Sequence, residues 1–191
     1  MKLIPLLTLD SRNLADDQSK LLDNLTKNNS EKTIYVLDLY GINKDKPNLN
    51  TYQKLSRDFD IWIDSGPRNI GDIVDNFLAG ATAVTLREKY WSNIDVAQIR
   101  EISENKIYMN LDSNDLEILK YYDSDGLVNF KTREKIEHDL ELNYLLKQIT
   151  SKKDVFSYEK DVKNITYWKH CGIKGLLVDI NKIQEFKKYD F

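Results

Sequence analysis

Residues 60–86 read DIWIDSGPRNIGDIVDNFLAGATAVTL, and this stretch decides the fold. It opens with a short apolar run, Asp60-Ile-Trp-Ile-Asp64, built from strand-forming residues. Ser65-Gly66-Pro67-Arg68 follows as a turn. Ile70, Ile73, Val74, Phe77 and Leu78 then recur with helical period, and Gly80 is a stop signal. Ala83-Val-Thr-Leu86 is a second apolar run. Strand, turn, amphipathic helix and strand together make a βαβ unit, whose two strands pair in parallel.

The same unit repeats outward in both directions. Strand-like runs stand at Leu3–Leu9, Ile34–Leu39, Ile61–Ile63, Ala83–Leu86, Ile107–Leu111, Gly126–Phe130, Val155–Tyr158 and Gly175–Val178. Amphipathic stretches separate them; the longest reads as one helix from Arg133 to Ile149, and Gly41 to Asn48 reads as a polar loop. Eight such units predict an α/β fold: a compact, single-domain (β/α)8 TIM barrel over residues 1–191, with short loops. In that architecture chemistry gathers at the C-terminal ends of the strands.

Composition narrows the function. The chain is 41% hydrophobic and 31% charged with a net charge of −3, an ordinary globular balance without the clustered basic face that nucleic acid requires. No run approaches the length of a membrane span, and Met1–Asp10 reads as the first strand rather than a signal core. Cys171 is the only cysteine, so no intrachain disulfide can form; a buried thiol and a cytoplasmic location are expected. His138 and His170 fall in helical stretches without metal-ligand spacing, so no metal is expected. The glycine-rich nucleotide loops and the G-x-S-x-G elbow are absent.

The strand ends carry Asp10, Asp38, Asp64, Arg87-Glu88, Asp112, Lys131, Glu159-Lys160 and Asp179. Around the mouth of a closed barrel these groups become neighbours. Crowded carboxylates shift one another's pKa, which supplies an acid and a base together. Arg68, Arg87, Lys131 and Lys160 can hold an anionic group. Structural roles compete at several positions. Asp10, Asp115 and Asp179 suit helix caps. Asp38, inside an apolar run, is either functional or held in a structural pair. Asp64 is either functional or an acceptor for its own turn.

Between Ile34 and Glu88 the chain reads Ile-Tyr-Val-Leu-Asp-Leu-Tyr-Gly-Ile, then Asp-Ile-Trp-Ile-Asp-Ser-Gly-Pro-Arg-Asn-Ile-Gly-Asp-Ile, then Ala-Gly-Ala-Thr-Ala-Val-Thr. This pattern resembles the histidine-biosynthesis barrels (HisA/HisF-like), and most nearly the branch found in methanogens. Ile4-Pro5, Asn110-Leu111-Asp112 and Cys171-Gly-Ile-Lys-Gly175 fit the same family. The resemblance is motif-level from Ile34 to about Asp112 and rhythmic elsewhere.

The resemblance implies an aldose–ketose isomerase of the phosphoribosylformimino aminoimidazole carboxamide ribotide type, working without a cofactor on a small phosphorylated or otherwise anionic substrate. It assigns Asp112 as one catalytic group. The strand-one position holds Thr8, and Asp10, two residues on and on the same side of an extended strand, takes its place as the second. Asp38, Asp64, Gly66, Arg68, Arg87 and Lys131 become the substrate-binding set. The family's phosphate-gripping glycines survive only at Gly66; acids stand after strands seven and eight, where they repel phosphate. The alternative is a catalytically silent barrel that serves as a ligand-binding or assembly partner, with self-association left open.

Overall fold

The computed structural model describes residues 1–12, 14–27, 32–91, 93–111 and 123–189. Its eight strands are β1 (Lys2–Leu9), β2 (Thr33–Asp38), β3 (Asp60–Asp64), β4 (Ala81–Leu86), β5 (Lys106–Asn110), β6 (Gly126–Asn129), β7 (Asp154–Tyr158) and β8 (Gly175–Asp179). They pair in parallel in chain order, and β1 also pairs with β8, from Lys2↔Gly175 to Leu6↔Asp179. The sheet is therefore a closed barrel.

Side chains alternate across each strand, so every strand feeds two cores. Inward residues form one cluster: Ile4 and Leu6 of β1, Tyr35 of β2, Trp62 of β3, Tyr108 of β5 and Phe156 of β7 are among its members. This lumen is filled largely by rings. Trp62 lies 4.0 Å from Tyr108, centroid to centroid, and 5.0 Å from Phe156. Outward residues such as Ile34, Val36, Ile61, Ile63, Ile107 and Val178 form the larger cluster, packed against the helices.

The helices are α1 (Asp16–Lys27), α2 (Leu39–Lys44), α3 (Leu49–Leu55), α4 (Ile70–Leu78), α5 (Val96–Arg100), α6 (Arg133–His138), α7 (Leu140–Thr150), α8 (Ile165–His170) and α9 (Ile183–Phe186). Two depart from the sequence reading. The expected Gly41–Asn48 loop is half helix, because Asp38 caps α2 by accepting from the Gly41 N–H at 2.9 Å. The expected helix Arg133–Ile149 is two helices. Asp139 leaves helical geometry at φ −108°, ψ 100°, and its carboxylate accepts from the Leu142 N–H to start α7 afresh.

Cys171 is buried, and burial raises its thiol pKa above the ordinary value, which disfavours a nucleophilic thiolate. His138 and His170 are exposed near the ends of α6 and α8. Among the described residues no helix is long and apolar enough to cross a membrane.

Candidate functional site

At the C-terminal mouth the central feature is Asp64. Its carboxylate is fully buried and faces inward from the end of β3. Arg87, just beyond β4, grips it in a two-point fork: Nε to Oδ1 at 2.9 Å and Nη2 to Oδ2 at 2.7 Å. The Tyr35 hydroxyl donates to Oδ2 at 2.8 Å and also reaches Thr85 Oγ1 at 3.1 Å. Burial, then the Asp64 charge, pushes the Tyr35 phenol well above its usual pKa, so it stays a protonated donor. The Arg87 guanidinium lies 5.5 Å from the Phe130 ring centre. Phe130 in turn lies 5.7 Å from Tyr158. Rings and an ion pair occupy this part of the mouth.

Three other strand-end acids, Asp38, Asp179 and Glu159, also accept from an aromatic donor. Asp38 points outward from β2 rather than into the mouth. It accepts from the Gly41 and Asn48 N–H groups, from the Asn48 side-chain amide at 2.9 Å and from the Tyr52 hydroxyl. It therefore shapes the path from β2 through α2 to α3. Burial, then Asp38, raises the Tyr52 phenol pKa. Asp179 accepts from Tyr158 at 2.8 Å, and burial is the largest cause of that phenol's raised pKa. Glu159 accepts from the Trp168 indole N–H at 2.7 Å, from the Asn164 amide at 3.0 Å and from the N–H groups of Lys160 and Asp161.

The remaining sequence-derived candidates scatter around the rim. Gly66 sits at φ +66°, and an added Cβ would lie 3.2 Å from Ile42 Cγ1, so this turn needs glycine for its backbone. Arg68 reaches Asp45 at 2.5 Å and the Ile42 carbonyl at 3.1 Å, with its guanidinium 5.1 Å from the Tyr90 ring centre; it closes the end of α2. The Lys131 N–H donates to Asn129 Oδ1 at 3.0 Å, and the Lys131 carbonyl accepts from the Asn129 amide. Asp10 is exposed just beyond β1. Asp112 and Asp115 lie outside the described residues.

Sequence reasoning missed the aromatic donors. Tyr35 and Tyr158 were legible only as ring-bearing strand residues; the signal was their place on the inward face together with a polar tip that needs a partner once buried. A small cavity of about 180 Å³ lies beside Phe130, Arg133, Tyr158 and Asn164, between the ends of β6 and β7. A larger one, about 530 Å³, opens at the opposite, N-terminal end of the barrel, with Trp62, Tyr108 and Phe156 lining it and Lys2, Lys32 and Lys106 also on its wall. No group of side chains suited to a metal ion occurs among the described residues.

Fold and strand order make this chain a parallel eight-stranded barrel of the TIM type. No protein-family model and no curated protein sequence matches it. Among solved structures it is similar to a monomeric dihydrodipicolinate synthase variant at a TM-score of 0.61 and 12% identity, covering 97% of this chain and 72% of that one. It is also similar to a second dihydrodipicolinate synthase at a TM-score of 0.58 and 11% identity, covering 97% and 78%. Identities this low establish shared architecture, and a barrel of this kind hosts many chemistries.

Proposed function

We propose that this protein is a ligand-binding barrel rather than an acid–base isomerase. One observation carries the reading: the inward, buried acid at the C-terminal mouth, Asp64, is already engaged by a two-point Arg87 fork and the Tyr35 hydroxyl. A carboxylate so held has its oxygens committed to Arg87 and Tyr35, while a general base needs a free lone pair aimed at substrate. Asp38, the acid set within an apolar strand, is turned outward and shapes a loop. The aldose–ketose reading taken from the histidine-biosynthesis resemblance rests on Asp10 with Asp112, and on Arg68, Arg87 and Lys131 as anion grips. Of these, Arg87 and Arg68 already hold Asp64 and Asp45.

The test is a coupled assay for ribose 5-phosphate isomerisation, with an aminoimidazole ribotide as second substrate, on the purified full chain. The expected result is no turnover above the uncatalysed rate. Turnover that disappears in Asp10→Asn or Asp112→Asn would overturn the reading and restore the isomerase.

A further inference from the structure

The N-terminal end of the barrel is open where such barrels are ordinarily packed. The reason lies in the first inward position of each strand. Alternation from Ile4, Trp62, Tyr108, Val128, Phe156 and Leu177 places Lys2, Asp60, Lys106, Gly126, Asp154 and Gly175 on the inward face at this end. None of these is a bulky apolar residue of the kind that fills a barrel layer. The resulting cavity of about 530 Å³ reaches down to a bed of three rings, Trp62, Tyr108 and Phe156.

The polar groups of this cavity are mostly donors. Among the described residues Lys2, Lys32 and Lys106 line it with one acid, Asp60, while Asp154 nearby is paired with Lys174 at 3.3 Å. No hydrogen bond or ion pair holds these three lysine side chains among the described residues. Tyr108 lines the cavity, and its hydroxyl makes no hydrogen bond among the described residues. Burial, then Asp125 and Asp154, raises its pKa, so it remains a donor. Apolar faces below and cationic donors above suit one kind of guest.

We infer that the N-terminal mouth binds a flat organic anion, its ring against Trp62, Tyr108 and Phe156 and its carboxylate, sulfonate or phosphate among Lys2, Lys32, Lys106 and the Tyr108 hydroxyl. This goes beyond the proposed function: it concerns the opposite mouth and stands whether or not the C-terminal rim turns over substrate.

The experiment is a fluorescence titration of the folded full chain with the anionic dye 8-anilinonaphthalene-1-sulfonate, followed by competition. One saturable site is expected. 2-Naphthoate displaces the dye, whereas uncharged 2-naphthalenemethanol and inorganic phosphate at equal concentration do not. The Lys2→Gln/Lys32→Gln/Lys106→Gln variant binds about tenfold more weakly, from about 0.5 kcal/mol per exposed charge contact. Tyr108→Phe weakens binding further. The single variants Lys2→Gln and Lys106→Gln carry the same test if the triple variant loses its cooperative unfolding transition. Absence of a saturable site, equal displacement by the neutral alcohol, or affinity unchanged in the lysine variants overturns the inference. Displacement by ribose 5-phosphate instead of 2-naphthoate also overturns it and points to the C-terminal mouth.

Discussion

At the residue scale, the acids at the strand ends illustrate how position decides a carboxylate's role. Asp38, Asp64, Asp179 and Glu159 all sit where barrel enzymes keep their chemistry, and each accepts from a tyrosine or tryptophan. Burying a charge without partners costs far more than one hydrogen bond returns, so these partners are obligatory. Asp38→Asn replaces one acceptor oxygen with an amide NH2 facing existing donors. It is expected to destabilise by about 2–3 kcal/mol, read from the urea midpoint at constant slope. Arg87→Met strands a fully buried Asp64 anion and is expected to cost about 3–5 kcal/mol. Adding Asp64→Asn to that variant should restore part of the loss, and a double-mutant cycle measures how much.

Among elements, the connections after β2, β3 and β6 are set by single residues. Asp139 divides one amphipathic stretch into α6 and α7, and its carboxylate serves the Leu142 N–H. Asp139→Ala is expected to cost about 1 kcal/mol in thermal or urea unfolding, the worth of a side-chain cap. Gly66 holds the turn after β3 in the left-handed region. Gly66→Ala is expected to cost about 1–2 kcal/mol, because an L side chain pays a steric penalty at that φ. A stability change near zero for either variant would show that the local geometry is not what holds these joints.

For the whole molecule, buried phenols couple stability to alkaline pH. Tyr35, Tyr52, Tyr108 and Tyr158 all have raised pKa values in the folded protein, with burial the largest cause each time. The unfolded chain releases these protons first, near the ordinary tyrosine pKa of about 10. Their contribution is therefore complete below pH of about 10 and is lost as pH rises above it. The expected outcome is a cooperative alkaline transition in which tyrosinate absorbance and loss of circular dichroism coincide. Tyrosinate formation by these four residues while the fold persists would contradict their burial in the folded protein.

The amino-acid sequence by itself determined the barrel. Eight apolar runs at near-regular spacing, with helical periodicity between them, leave few other ways to bury both faces of each strand, and the observed strands match those runs to within a residue or two. It also marked Asp38 as an acid needing an explanation, since a charge within an apolar run is costly wherever it lands, and Asp64 as either functional or an acceptor for its own turn. Only the tertiary structure decided what those acids do. Whether Asp38 turns inward or outward depends on strand register, and a one-residue shift exchanges the two faces. That Arg87 meets Asp64, or Tyr158 meets Asp179, depends on the pairing of neighbouring strands, which brings together residues 23 and 21 positions apart. The lysine-lipped N-terminal mouth was illegible for the same reason: Lys2 and Lys106 become neighbours only once β1 through β8 close into a ring.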